Sequence, residues 1–484
     1  MFSSVTNLFF HTRKRPNLPV LRFHNTLSGR VEEFEPLGGT VKMYNCGPTA
    51  YDEQHIGNLF PPVVANILHR TLSVWGYNIE EVNNITDFGH ISEDAASEDK
   101  MTKGLRRESL PPTLENMRTL AEKYAALFFA DIVALGVDTG AVQYPRASDY
   151  IKEQIAVVKT LEQKGYAYKT GDGVYFDVSR FAGYGKLGRI NLAGQQAGVR
   201  VEENKEKRGP FDFALWKLDK KLGWKSPWGL GFPGWHTECV AMIFTLLGRQ
   251  IDIHMGGIDL IPTHHNNEIA QVEAVTRKQF VQCWLHNAFI TIEGKKISKS
   301  LGNTVYLRDI RSRGLPPIAL RYWFLTGHYR TPMNFTWEAL EGACTAYLRL
   351  ARAYQELPPS HLQPDKEFLK DFYAAIAEDL GTPQALARVW ELVKDECASP
   401  AVKRASLAEA DKILGLNLGD HTVFKNQAQT ISTHDLPAEI QALIQNREAT
   451  RKNKDFKKSD ELRAQIESAG FAIKDTPEGP QISK

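Results

Sequence analysis

Three clusters in this 484-residue chain carry side chains suited to polyphosphate or metal chemistry. The first is His55-Ile56-Gly57-Asn58, placed between a strand-like segment and a helical one. A helix N-terminus offers free backbone N–H groups and a positive dipole end, both suited to phosphate. Gly57 lets the backbone approach closely, and the imidazole and carboxamide add donors. A structural turn is the plain alternative. The second is Lys296-Ile297-Ser298-Lys299-Ser300, followed by Leu301-Gly302-Asn303. Two lysines and two hydroxyls on a glycine-flanked loop can grip a polyphosphate; a solvated basic turn would look the same. The third joins Gly234-Trp235-His236-Thr237-Glu238-Cys239 to His264-His265-Asn266-Asn267-Glu268. His264 and Glu268 are four apart, so a helix puts both on one face. With Cys239 and the distant Cys46 they form a set able to hold a tetrahedral zinc. Buried thiols beside a polar helix face remain the alternative.

One match is discounted. Gly229-Leu230-Gly231-Phe232-Pro233-Gly234 fits the GxGxxG pattern, but that pattern binds dinucleotides only after a strand and at the opening of a helix. Set among Trp228, Pro233 and Trp235, it reads as a loop. The chain has no GxxxxGK[ST] sequence.

The elements that must position these groups read as follows. Thr40–Asn45 is a short strand entering the turn Cys46-Gly47-Pro48-Thr49, an amphipathic helix spans about 62–75, and β-rich residues fill 79–85. Strand, turn, helix, strand is the grammar of a parallel βαβ unit. Residues 92–107 read as a loop or a solvated helix start. Helices are expected over 114–135 and 150–164. Short strands and glycines fill 165–225, an inserted domain. Strands return at 251–254 and 288–292, and the chain is mostly helical from Trp337 to the end. Pro358-Pro359 and the polar stretch 426–435 mark joints.

Lys and Arg number 59 against 57 Asp and Glu, a net charge of +2, with 24% charged and 42% hydrophobic residues. This excludes a disordered chain, a collagen-like chain and a small disulfide scaffold, and the length suggests roughly three domains. It also argues against coating nucleic acid by bulk charge, though a local basic patch is still compatible. Five cysteines without a CxxC pair suit reduced thiols in a cytosolic protein. No apolar run is long enough to span a membrane. The first 30 residues hold five basic residues and no acid, which fits an unstructured extension or an organellar transit segment.

The first two clusters together resemble the paired signatures of class I aminoacyl-tRNA synthetases, usually written HIGH and KMSKS. Amino-acid activation passes through a crowded, highly negative α-phosphate transition state. Donors placed beforehand stabilise that state, and holding carboxylate and ATP together removes a bimolecular encounter. The third cluster narrows the likeness to cysteinyl-tRNA synthetases. It is joined by Met43–Thr49, Asn84-Ile85-Thr86-Asp87, Phe213–Lys217, His254–Leu260, Tyr322–Arg330, Thr382–Ala385 and the tail segments 447–460 and 475–479. The resemblance runs over nearly the whole chain from about Leu21.

The resemblance implies an α/β fold: a Rossmann-type parallel-sheet catalytic domain with an inserted connective domain, then an all-α helical bundle and a small C-terminal anticodon-binding domain. The expected divisions are a flexible extension (1–20), the catalytic domain (21–336, insertion about 114–225), the bundle (337–430) and the basic C-terminal domain (431–484). It implies one Zn²⁺ on Cys46, Cys239, His264 and Glu268 that takes the substrate thiolate. Cysteine and serine differ by one atom, and shape alone separates such pairs poorly, whereas zinc is thiophilic. It places Trp235 and Thr86 in the cysteine pocket. ATP, with Mg²⁺, falls to His55, Gly57, Asn58, Gly256, Gly257, Asp259 and Lys299; the catalytic groups are His55, Asn58, Lys296 and Lys299. The partners implied are L-cysteine, ATP and tRNA(Cys), with no membrane; a monomer and a cytoplasmic location are expected.

Two departures stand out. Asn58 replaces the last histidine of HIGH, keeping a donor without a charge, and Phe88–Lys103 lacks the acidic stretch common after the Thr-Asp pair. In the tail, residues 441–463 hold seven Lys/Arg against four acids. From sequence alone a solvated helix face is the better explanation. The resemblance makes Arg447, Arg451, Lys452, Phe456 and Asp460 RNA contacts. Two other readings are weighed: a ligase joining cysteine to an amino-sugar amine, as in mycothiol biosynthesis, and a non-catalytic RNA-binding relative. The first lacks an anticodon-binding end; the second predicts lost zinc ligands or signature lysines.

Overall fold

The computed structural model describes residues 18–89, 100–190, 206–424, 430–431, 436–453, 455–476 and 479–483. The extension up to residue 17 and most of the 88–103 stretch lie outside them. Four strands build the central sheet: β1 (Thr40–Asn45), β2 (Asn78–Asn83), β3 (Ile251–Gly257) and β4 (Val281–Asn287). Their order is β4-β3-β1-β2, and every pairing is parallel. Parallel strands are covered on both faces, so they read as nearly continuous buried runs. Val41, Met43, Tyr44, Ile251, Ile253 and Leu285 are all buried. The register sets His254 between Tyr44 and Trp284. The expected strand at 251–254 continues to Gly257, and β4 was not anticipated. The expected strand at 288–292 shortens to Ile290–Ile292 and joins a separate three-stranded sheet with Lys295–Lys296 and Met333–Phe335.

Helix α1 (Ile56–Val74) begins six residues before the expected 62 and carries Pro61 and Pro62 in its second turn. A proline is at home at the first helical position, which makes Pro62 look like a start. The true N-terminus lies at His55, whose extended backbone caps the helix and which pairs with Tyr306. Helix α2 (Lys100–Arg107) follows, then helices Leu114–Ala134 and Ile151–Gln163, close to their expected spans.

The insertion is a five-stranded antiparallel sheet made of Ala167–Thr170, Gly173–Phe176, Phe213–Leu218, Gly229–Pro233 and Trp224–Ser226, in that spatial order. The GxGxxG segment is therefore a strand, not a loop, and it runs into α3 (Trp235–Leu246). Its glycines serve pairing: a Cβ on Gly231 would lie 1.9 Å from the Lys217 carbonyl oxygen, and one on Gly234 would lie 1.9 Å from that of Ala214. Helix α4 (Asn266–Thr276) is entered through a wide π-type turn, Ile261–His265.

Four helices form the bundle: Trp337–Glu356, Lys366–Ala377, Thr382–Lys394 and Pro400–Leu414. Thr336, Asp365 and Ser399 cap three of them with side-chain oxygens, and Gly415 ends the last in the left-handed conformation. These helices meet α1 and the helix Leu114–Ala134 around Arg321, a fully buried guanidinium. It donates to the Leu414 and Leu135 carbonyls at 2.7 and 3.1 Å and to Asn66 Oδ1 of α1 at 2.9 Å. Burial and nearby Arg70 pull it down to about 9, so it stays charged at neutral pH.

The chain divides into two compact units: Met1–Leu307 with Pro317–Leu418, and Arg308–Pro316 with Gly419–Lys484. The second holds helices Ala438–Lys452 and Phe456–Ser468 and an antiparallel sheet ordered Thr430–Ile431, Gly479–Ser483, Ala472–Thr476. The tail is thus not purely helical. Leu436, Ile440, Ile444, Ile466, Phe471, Ile473 and Ile482 make its core. Among the described residues, no helix is long and apolar enough to cross a membrane.

Candidate active site and metal centre

In an open parallel sheet, ligands gather at the C-terminal strand ends where the strand order reverses. Here that crevice lies between β1 and β3. Cys46 follows β1 and donates its N–H to the Met255 carbonyl of β3 at 3.1 Å. Gly256 and Gly257 end β3, and a Cβ on Gly256 would lie 2.8 Å from the His265 ring. Asp259 is exposed on the turn beyond.

The metal candidates meet here. Cys239, on the first turns of α3, places Sγ 3.6 Å from His264 Nε2, close to the roughly 3.6 Å expected between sulfur and nitrogen on one tetrahedral zinc. Glu268 Oε1 lies 2.7 Å from His264 Nε2, an ion-pair contact in which, against the effect of burial, the carboxylate holds the imidazole's proton affinity up, to about 10. His264 Nδ1 is engaged 2.9 Å from His236 Nδ1, which leaves Nε2 to face the cluster. Glu268 Oε2 lies 2.7 Å from His254 Nε2.

The donors that lie mutually within 4.8 Å are Cys46, His264, His265 and Glu268. Cys239, an expected ligand, is not in this group, and His265, which was not expected, is. Its Nε2 lies 3.4 Å from Cys46 Sγ, and its Nδ1 lies 2.8 Å from His286 Nε2. The signal was in the sequence as histidine count: five of the fourteen histidines (His236, His254, His264, His265 and His286) are buried at this point.

Burial pushes the Cys239 thiol well up, with Cys46 adding to the rise. Burial also opposes ionisation of Glu268, but His254 and His264 outweigh it and hold the carboxylate down, at about 2. The residues fit a thiophilic dication: a buried anionic oxygen, an oriented imidazole and two thiols that a cation would draw to thiolate. Trp235 is partly exposed and lies against the His264 ring, with centroids 4.4 Å apart. Thr86 is buried beside them and donates to Glu238 Oε2 at 3.0 Å.

The two signatures also meet. Gly57 sits under Ile297, whose Cδ1 would be 3.0 Å from an added Cβ. Asn58 is exposed and donates to Gln54 Oε1 at 2.8 Å. Burial, then Lys299, pulls His55 down to about 4, so its ring is neutral. A neutral donor at position 58 therefore matches a site that already keeps its neighbouring imidazole uncharged. Lys296 is exposed on its short strand, and Lys299 pairs with Asp52.

The tail candidates divide. Arg447 is 2% exposed and makes a two-pronged pair with Asp475, both contacts at 2.8 Å, so its guanidinium is spent inside the fold. Arg451 also pairs with Asp475. Phe456 is 63% exposed, and Asp460 is exposed on the same helix. Lys452 ends its helix.

Parallel sheet, crevice and paired signatures make this a class I aminoacyl-tRNA synthetase. Residues 33–345 match the tRNA synthetases class I (C) catalytic domain, and residues 433–482 match the cysteinyl-tRNA ligase anticodon binding domain. A methionyl-tRNA synthetase from Mycobacterium tuberculosis, solved with methionyl-adenylate, shares the fold at a TM-score of 0.55 and 13% identity, covering 80% of this chain and 91% of that one. Among curated relatives, cysteine–tRNA ligase 1 of Burkholderia lata is 42% identical over 96% of both chains. That of Aquifex aeolicus is 38% identical over 96% of this chain and 99% of its own, and that of Thermus thermophilus 40% over 95% and 98%. The chain belongs to the cysteine–tRNA ligase family.

Proposed function

We propose that the protein activates L-cysteine with ATP and transfers the cysteinyl group to the 3′-terminal adenosine of tRNA(Cys). What supports this is the meeting of Cys46, His264 and Glu268 in the β1–β3 crevice, with Cys239 3.6 Å from His264, beside Trp235. These four would hold Zn²⁺, with His265 against the Cys46 sulfur. Bound zinc supplies a soft Lewis acid that favours a thiolate over a hydroxyl, so serine is rejected in the pocket itself. Trp235 walls the thiol side, and Thr86, which donates to Glu238 and accepts from Asn84, lines the pocket beside it.

ATP, with Mg²⁺, lies across the crevice. Asp259 accepts from the ribose, and the glycines Gly256 and Gly257 admit the nucleoside. The N-terminus of α1, with neutral His55 and Asn58, faces the phosphates. Lys296 and Lys299 offset the charge that builds as the cysteine carboxylate attacks the α-phosphate and pyrophosphate leaves. The second unit takes the tRNA, with Arg451 and Phe456 at its surface and Lys452 close by in sequence. The division into catalytic domain, insertion, bundle and C-terminal domain gives every region a task of its own. Five unpaired cysteines suit a reducing compartment such as the cytoplasm.

Purified protein given ATP, cysteine and tRNA forms cysteinyl-tRNA. Cys239→Ser loses bound zinc, measured by elemental analysis, and loses cysteine-dependent pyrophosphate exchange by about 100-fold or more. A variant that keeps both its metal and its exchange rate overturns the assignment. Exchange without tRNA charging would favour the amino-sugar ligase, which nothing in the site recommends.

A further inference from the structure

Asp52 lies three residues before His55, and its use is not explained by the site described above. Its Oδ2 is in contact with Lys299 Nζ and lies 2.6 Å from Arg107 Nη1. The same ammonium sits over the Tyr51 ring, 5.2 Å from its centroid. The carboxylate is fixed from its own side: Oδ1 accepts the Glu53 N–H at 2.8 Å, and its carbonyl accepts from Gln54 Nε2 at 2.8 Å. Gln54 in turn holds Asn58. Arg107, on α2, is independently anchored, donating to the Tyr51 carbonyl at 2.7 Å and to the Tyr124 hydroxyl at 2.9 Å. Lys299 is the partner on a loop, between Gly294 and Gly302, both left-handed.

We infer that Asp52 is the resting counter-ion of Lys299: it parks the lysine against Tyr51 until the polyphosphate of ATP takes it over. This rests on the reading of Lys299 as a phosphate-binding lysine. Two features favour an exchange over a permanent lock. The pair is partly exposed, with Lys299 40% accessible, and ion pairs of that kind are individually weak. When Lys299 leaves, Asp52 keeps Arg107, so no carboxylate is stranded without a cation. Asp52 is thus a positioning residue. It holds the loop near the mouth of the site before ATP arrives, and ATP must compete with it for the lysine.

A ligand that binds only after a resting contact opens has its apparent affinity lowered by that contact. In the full-length enzyme, Asp52→Asn therefore lowers the KM for ATP in pyrophosphate exchange by about two- to fivefold, while the KM for cysteine and kcat hold. Without ATP, trypsin cuts the loop at Lys296 and Lys299 faster than in the wild type; with ATP the two are cut alike. Asp52→Glu restores wild-type values of both. A role limited to structure would raise KM or lower kcat. An unchanged or raised KM for ATP, or unchanged tryptic cleavage, overturns the inference. The trypsin measurement needs neither cysteine nor tRNA, so it separates this inference from the substrate assignment.

Discussion

Asp475 gathers three guanidinium groups, from Arg447, Arg451 and Arg463. Hydrogen bonds from Arg447 hold its carboxyl below the usual range against an opposing effect of burial, with Arg451 and Arg463 adding to the shift. A carboxylate lowered in the folded state adds stability above its unfolded pKa of about 3.9, and that stability is lost as pH falls through the folded value. Amide exchange in Ala438–Lys452 and Ala472–Thr476 should therefore speed up on acidification below about pH 4, and Asp475→Asn should flatten that dependence. The same residues mark a limit of sequence reading. Seven basic residues in a row of helical positions look alike as letters, but the partner that buries Arg447 stands 28 positions on. The metal-ligand candidates Cys46, His264 and Glu268, which the fold brings together, stood out in the sequence because each carries distinctive chemistry. His254 and His265, which orient them, were hidden inside motifs read for their neighbours.

At the scale of elements, β1, α1 and the two long helices after it were readable from periodicity, since one buried face repeats. β4 was not: Gln282, His286 and Asn287 interrupt its apolar run, although His286 and Asn287 are buried between neighbours. The C-terminal sheet hid for a similar reason, being built from strands of two to five residues, the longer ones within a charged tail. The GxGxxG strand offers a direct check on what glycine does there. Gly231→Ala forces a methyl against the Lys217 carbonyl, and such overpacking costs about 1–3 kcal/mol. Thermal unfolding should register that loss, while ATP binding measured by calorimetry stays at the wild-type value. Weakened ATP binding with unchanged stability would return the motif to a nucleotide role.

For the whole molecule, a net charge of +2 spread over 484 residues leaves RNA attraction to local patches. Neutralised phosphates release counterions, so the KM for tRNA should climb steeply between about 50 and 200 mM salt, as expected for several backbone contacts. Pyrophosphate exchange, which needs no tRNA, should change far less over the same range; equal salt dependence of the two would count against a phosphate-contacting surface. A different kind of consequence follows from Arg321. Its three acceptors belong to the middle of α1, to the residue closing the helix Leu114–Ala134 and to the last turn of the bundle. Prising these apart would leave a buried cation without its acceptors, which opposes a hinge between them. Asn66 is about 16 Å along α1 from His55. One buried cation therefore ties the bundle to the helix whose N-terminus faces the proposed ATP site, so a push on the bundle would be felt there.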